Sequence, residues 1–176
     1  STTGGTGAEN AQPLVLRYIK GSLAIAHNGN IRNTQELRKE YERTGAIYQT
    51  TSDTEIIAYT IARQRLEAKP IQEAVNRSMD ILKGSFSLVI MSPQKLIAAR
   101  DPWGLRPLAL GRKGDAIIFA SESCAFDAIG AEYIRDLEPG EIAIVEKGEI
   151  SSIKTHCGKE KSSFCIFEYI YFARPD

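Results

Sequence analysis

Residues 22–31 read SLAIAHNGNI, an alternating apolar strand that runs into a cluster of small polar residues. Asn-Gly between two strands is the strongest short hairpin signal, because both residues tolerate positive φ. The next residues argue against a hairpin. Residues 32–45, RNTQELRKEYERTG, put Asn33 and Glu36 at capping-box spacing and close a charged helical run on Gly45. Asn28, Gly29 and Asn30 are therefore expected between a strand and a helix, where their amides can face a ligand instead of a partner strand.

Outward from this stretch, residues 13–18 and 22–27 read as two strands joined across Lys20-Gly21. Three helices come after the motif. The second is expected to start at Ser52, with Glu55 at capping-box spacing and Ile56, Ile57, Thr60 and Ile61 facing inward. In the third, Pro70 suits the first helical position, Ile71, Ala74, Val75, Met79 and Leu82 recur at helical spacing, and Gly84 ends the run. From Ser85 on, short strands alternate with turns: SFSLVIM, KLIAARD, PLALGR, AIIFAS, EIAIVEK and EISSIKT, with one short helix at residues 122–129. Antiparallel strands with helices grouped between them predict an α+β layered fold, not alternating βαβ units.

The chain has 176 residues, enough to bury a core in one domain. Its 22 basic and 22 acidic residues cancel, and no tract of one sign nominates a nucleic acid or a membrane surface. Three cysteines at irregular spacing point to a reducing compartment, so a cytoplasmic location is expected. The late apolar segment FCIFEYIYFA is too short to span a bilayer and carries Glu168. Both chain ends are abrupt, and a fragment or processed product is expected.

Several residues carry chemistry. A side-chain amide and a glycine N–H are the two donors an acyl-transfer oxyanion needs, so Asn28 and Gly29 read either as a turn or as such a pair. Asp53 either caps a helix or fixes a substrate ammonium group, and the residues leave both open. His27 has no acid or thiol near it in sequence and reads as structural or ligand-shaping, not as a base. Cys124 reads as a small buried residue before a nucleophile. His156, Cys157 and Cys165 lack the spacing of a metal set. Arg100, Asp101 and Arg106 are expected to form an ion-pair network around a turn, with Trp103 packing on it. Ser1 resembles an N-terminal nucleophile only because the chain starts there.

The segments STTGG and NAQPL, AHNGN, TTSDTE, RDPWGLRPL, SESCAFD, EPGE and CIFEYIYFARPD, in this order, resemble the glutaminase domain of the amidophosphoribosyltransferase family. AHNGN and SDTE alone also fit related glutaminases such as that of glucosamine-6-phosphate synthase; the terminal segment favours the first family. The resemblance implies an N-terminal-nucleophile hydrolase with a four-layer αββα sandwich, incomplete at its N-terminal end, over residues 1–176, with the phosphoribosyltransferase domain absent. It implies that a cysteine attacks the glutamine amide and that ammonia then converts phosphoribosyl pyrophosphate to phosphoribosylamine in de novo purine synthesis. It places the oxyanion hole on the Asn28 side chain and Gly29 N–H, the glutamine α-amino group on Asp53, and Thr2 beside the glutamine pocket. The nucleophilic cysteine and the carboxylate-binding arginine would precede Ser1, so this piece alone is expected to be inactive. Glutamine and phosphoribosyl pyrophosphate are the implied partners of an oligomeric parent. The implied cofactors belong to that parent, not to this piece: Mg2+ and, in some members, a [4Fe-4S] cluster with one ligand at Cys165. Two other readings stand beside this one, the glutaminase half of a sugar-amidating synthase and a non-catalytic glutamine-binding module.

Overall fold

The computed structural model describes residues 7–161 and residue 163. A 3₁₀ turn at Ala8–Asn10 leads into a hairpin of β1 (Leu14–Tyr18) and β2 (Gly21–Ile31). Three helices follow, α1 (Thr34–Arg43), α2 (Asp53–Glu67) and α3 (Ile71–Ile81). The remainder is β3 (Gly84–Met91), β4 (Lys95–Arg100), β5 (Ala109–Lys113), β6 (Ala116–Ala120), α4 (Cys124–Ile129), β7 (Glu132–Asp136), β8 (Ile142–Glu146) and β9 (Glu149–Ile153). All pairings are antiparallel and make two sheets, ordered β1-β2-β3-β4-β8-β9 and β6-β5-β7.

Side-chain alternation gives each sheet two faces. On one face of the larger sheet, Leu23, Ile25, Leu88, Ile90, Ile97 and Ile144 close against Ile56, Ile57 and Ile61 of α2 and Ala74, Val75 and Met79 of α3. Each wholly buried isoleucine there contributes about 1.5–3 kcal/mol. On the other face, small Ala98 and Ala143 let the second sheet approach with Leu108, Leu110 and Leu137. The far face of that sheet is covered by α4, whose Phe126 ring lies 2.6 Å from where a Cβ on Gly111 would sit. The layers run α, β, β, α, as the resemblance implies. No helix among the described residues is long and apolar enough to cross a membrane.

Four local expectations are corrected. The second strand does not end at His27; β2 continues to Ile31, with Asn28, Gly29 and Asn30 opposite Ser87, Phe86 and Ser85 of β3. Two glycines make this possible. Gly29 has φ +150° and Gly84 φ +140°, and a Cβ at either would lie 2.1 Å from the Ser85 carbonyl oxygen or 2.3 Å from that of Asn30. Asn33 caps α1 without a side-chain bond, because its amide is engaged elsewhere, donating to Ile81 O and accepting from Lys83 N. At α2 the Ser52 hydroxyl does accept the Thr54 N–H, but Glu55 turns instead to the N–H groups of Gln49 and Thr50. Pro70 stands one residue ahead of α3, as its N-cap. The strand β7 escaped the sequence reading because EYIRD is mostly exposed and has no apolar alternation.

Candidate active site

The expected amide cluster lies inside a strand, so its chemistry depends on which backbone groups the sheet leaves over. Successive residues of an antiparallel strand send their N–H and C=O groups alternately to opposite edges. Opposite Gly29, Phe86 gives its N–H to the Asp101 carboxylate at 3.3 Å and its carbonyl to the Asp101 N–H at 2.9 Å. Gly29 and Phe86 are thus a non-hydrogen-bonded pair, and the Gly29 N–H points to the other edge of β2. Strand β1 no longer covers that edge, since its pairing stops at Leu14 opposite Ile25.

Side chains replace β1 there. The Gln12 carbonyl oxygen accepts the His27 N–H at 2.5 Å, and Asp53 Oδ2 accepts the Ile31 N–H at 3.2 Å. Between these two, no side chain among the described residues takes the Gly29 N–H. Asn28 is exposed and lies on the face of β2 turned away from the helices. A backbone donor at the open edge and a side-chain amide on the outer face therefore come from consecutive residues of β2. A cleft of about 400 Å3 opens on the same face, lined in part by Asn30, Ser85, Arg32 and Trp103. Trp103 was expected only to pack, and Arg32 was not singled out; neither sits in a motif whose spacing marks a pocket.

Asp53, the first residue of α2, is 0% exposed. Oδ1 has no hydrogen bond among the described residues, although the His27 Nδ1 lies 3.3 Å away, within ion-pair distance but off a hydrogen-bonding line. His27 is itself buried, with Nδ1 3.5 Å from the Thr54 hydroxyl and no hydrogen bond at Nε2. It faces the helix layer, while Asn28 faces the opposite side of the sheet. This supports the structural or ligand-shaping reading of His27.

Around the β4–β5 turn the chemistry is structural. Arg100 gives its guanidinium to the carbonyls of Gly104, Arg106 and Leu137, and Asp101 accepts the N–H groups of Phe86, Trp103 and Leu105. The expected ion-pair network is built chiefly from charge-to-backbone bonds. Burial pushes the Asp101 carboxyl above the ordinary carboxylate range, against these N–H bonds. Burial also pulls the Arg100 guanidinium below its usual value.

Cys124 heads the six-residue α4, with its thiol 3.3 Å from the Glu122 carboxylate. His156 is buried, its Nε2 3.1 Å from Asn76 O and its Nδ1 3.4 Å from the Lys159 ammonium. Burial raises the Cys157 thiol above its ordinary value, the wrong direction for a metal-bound thiolate. Among the described residues no three His, Cys, Asp or Glu side chains could hold a metal ion. Thr2 and Cys165 lie outside the described residues.

Two facing sheets lie between helix layers, and β2 carries an asparagine amide and a backbone N–H at consecutive positions, Asn28 and Gly29. Comparison with known families identifies the domain. The family model described as "Glutamine amidotransferase domain" matches residues 5–128, more than half the chain, and the chain belongs to that family. Over its whole length it is 44% identical to the amidophosphoribosyltransferase of Archaeoglobus fulgidus and 45% identical to that of Bacillus subtilis, covering 38% and 37% of those proteins. Among solved structures, the glutamine phosphoribosylpyrophosphate amidotransferase from Bacillus subtilis superposes with a TM-score of 0.90 at 44% identity, covering 98% of this chain and 37% of that one. A predicted glutamine amidotransferase from Pseudomonas aeruginosa, at 15% identity and TM-score 0.58, covers 82% of this chain and 65% of that one and shares the fold. The chain spans well under half the length of the curated relatives it matches.

Proposed function

We propose that residues 1–176 are the glutaminase domain of an amidophosphoribosyltransferase, in which glutamine hydrolysis supplies ammonia to phosphoribosyl pyrophosphate. The observation that carries this reading is the Gly29 N–H, which no described side chain takes, between two N–H groups that side chains have captured and one residue after Asn28. A thiolate from the full-length protein attacks the glutamine side-chain carbonyl carbon, and the carbonyl oxygen becomes an oxyanion. Gly29 N–H and the Asn28 amide donate to it, preorganised by the sheet. The α-amine of the N-terminal cysteine that bears this thiolate, having taken the thiol proton, returns it to the amide nitrogen, the tetrahedral intermediate collapses to a thioester with loss of ammonia, and water then hydrolyses the thioester to glutamate. Asp53 Oδ1, a buried acceptor with spare capacity, takes the substrate's α-ammonium group. Ammonia displaces pyrophosphate from phosphoribosyl pyrophosphate in the transferase portion, giving phosphoribosylamine.

The three irregularly spaced cysteines support a reducing, cytoplasmic setting. The names of the Archaeoglobus and Bacillus relatives support the choice of acceptor. The test is to assay the full-length protein for glutamate release from glutamine, and for phosphoribosylamine when phosphoribosyl pyrophosphate is added. Both products are expected. Glutamate release with no phosphoribosylamine would confine the function to glutaminase, and release of neither would overturn the proposal.

A further inference from the structure

We propose that Gln12 is a positioning residue for the glutaminase reaction, standing in for the missing strand at the edge that carries the oxyanion donor. This rests on the glutaminase reading above. Two bonds of one side chain carry the argument. The Gln12 Oε1 accepts the His27 N–H at 2.5 Å, and its Nε2 donates to the Thr54 hydroxyl at 3.4 Å. His27 and Gly29 present N–H groups on the same strand edge, about 7 Å apart at the rise of an extended strand. β1 does not pair beyond Leu14. Among the described residues, the Gln12 amide is what takes the place of the ladder at His27.

The second bond leads to the other half of the site. Thr54 Oγ1 also lies 3.1 Å from the hydroxyl of Ser52, whose oxygen caps α2, and Asp53 is the first residue of that helix. Gln12 therefore ties the strand bearing Gly29 to the helix start bearing Asp53. With the His27 N–H held on one side and the Ile31 N–H held by Asp53 on the other, the Gly29 N–H is the donor left open, and its direction is set from both flanks. A Gly residue at φ +150° has no side chain of its own to hold that direction.

The experiment uses the full-length protein and the variants Gln12→Leu and Gln12→Met. Each preserves bulk and removes both hydrogen bonds. A misdirected oxyanion donor weakens only the transition state, so kcat should fall about tenfold or more while KM for glutamine stays within about threefold. The γ-aldehyde of glutamate, which a thiolate converts to a tetrahedral adduct, should lose affinity by the same factor as kcat, and glutamate itself should bind as in the wild type. In the unmodified protein, amide exchange should be slow at His27 and fast at Gly29. Folded variants with wild-type kcat and aldehyde affinity would overturn the proposal. So would an equal loss of glutamate and aldehyde binding, or a His27 amide that exchanges as fast as that of Gly29. A wild-type protein that releases no glutamate overturns the glutaminase reading and this proposal with it; an active wild type with unaffected variants overturns this proposal alone.

Discussion

Asp53 and Asp101 are both 0% exposed and serve adjacent strands, Asp53 at the open edge of β2 and Asp101 at the far edge of β3. They flank the same cross-strand pair, Gly29 and Phe86. Asp101 uses both oxygens, on the N–H groups of Phe86, Trp103 and Leu105. Asp53 uses only Oδ2, on Ile31, and its Oδ1 has no hydrogen bond among the described residues. Burial alone therefore does not mark a functional acid. Asp53 differs in the acceptor capacity that the described residues leave unused, which fits the substrate-binding role proposed for it.

The comparison breaks or sharpens under substitution. The largest effect on stability is expected at Asp101→Ala, which strands the buried Phe86 N–H and the part-buried N–H groups of Trp103 and Leu105 and should cost more than about 3 kcal/mol in urea unfolding. If Asp101→Ala is no less stable than the wild type, the structural assignment of this acid is wrong.

Glu141 offers a second fully engaged acid, with its side chain 0% exposed and bonded to Arg135, Ser152 and the Glu138 N–H. Burial works to raise its pKa, but these bonds together lower it from 4.5 to about 2. A carboxylate held lower in the folded chain than in the unfolded chain stabilises the fold above its unfolded pKa, and that contribution is lost as pH falls from about 4.5 towards about 2. At neutral pH it is on the order of 3 kcal/mol. Glu141→Gln should flatten the acid limb of a stability–pH curve; an unchanged limb would contradict this. Asp101, held above its ordinary range, has the opposite sign: its ionisation opposes folding as pH rises through its own pKa.

The smallest effect on stability is expected at Asp53→Asn, within about 1 kcal/mol, because the amide oxygen can still accept the Ile31 N–H. Its effect should appear in binding instead, as a rise of about tenfold or more in KM for glutamine. A stability loss as large as that of Asp101→Ala, with KM unchanged, would make the two aspartates equivalent and dissolve the comparison.

Much of this was readable from local chemistry. The apolar spacing of α2 and α3, the Ser52 cap and the alternation in β3, β4 and β8 are properties of short segments. The open donor was not readable, since it depends on where β1 stops pairing and on Phe86 turning its N–H to Asp101, 15 residues along the chain. Asn28-Gly29-Asn30 looked like a connection because Asn and Gly are poor strand formers. Pairing with β3, through glycines at 29 and 84, overrode that preference. The contact between His27 and Asp53 joins residues on different elements, and Gln12 was visible only as one letter of a motif.

The central claim is that the Asn28 amide and the Gly29 N–H bind the oxyanion of glutamine hydrolysis. Its most direct test is steady-state glutaminase kinetics of Asn28→Ala in the full-length protein, since Asn28 is exposed and its loss leaves the strand pairing intact. The account predicts a fall of about 10²–10³ in kcat with little change in KM, the mark of a donor engaged only in the transition state. An unchanged kcat, or a loss confined to KM, would contradict it.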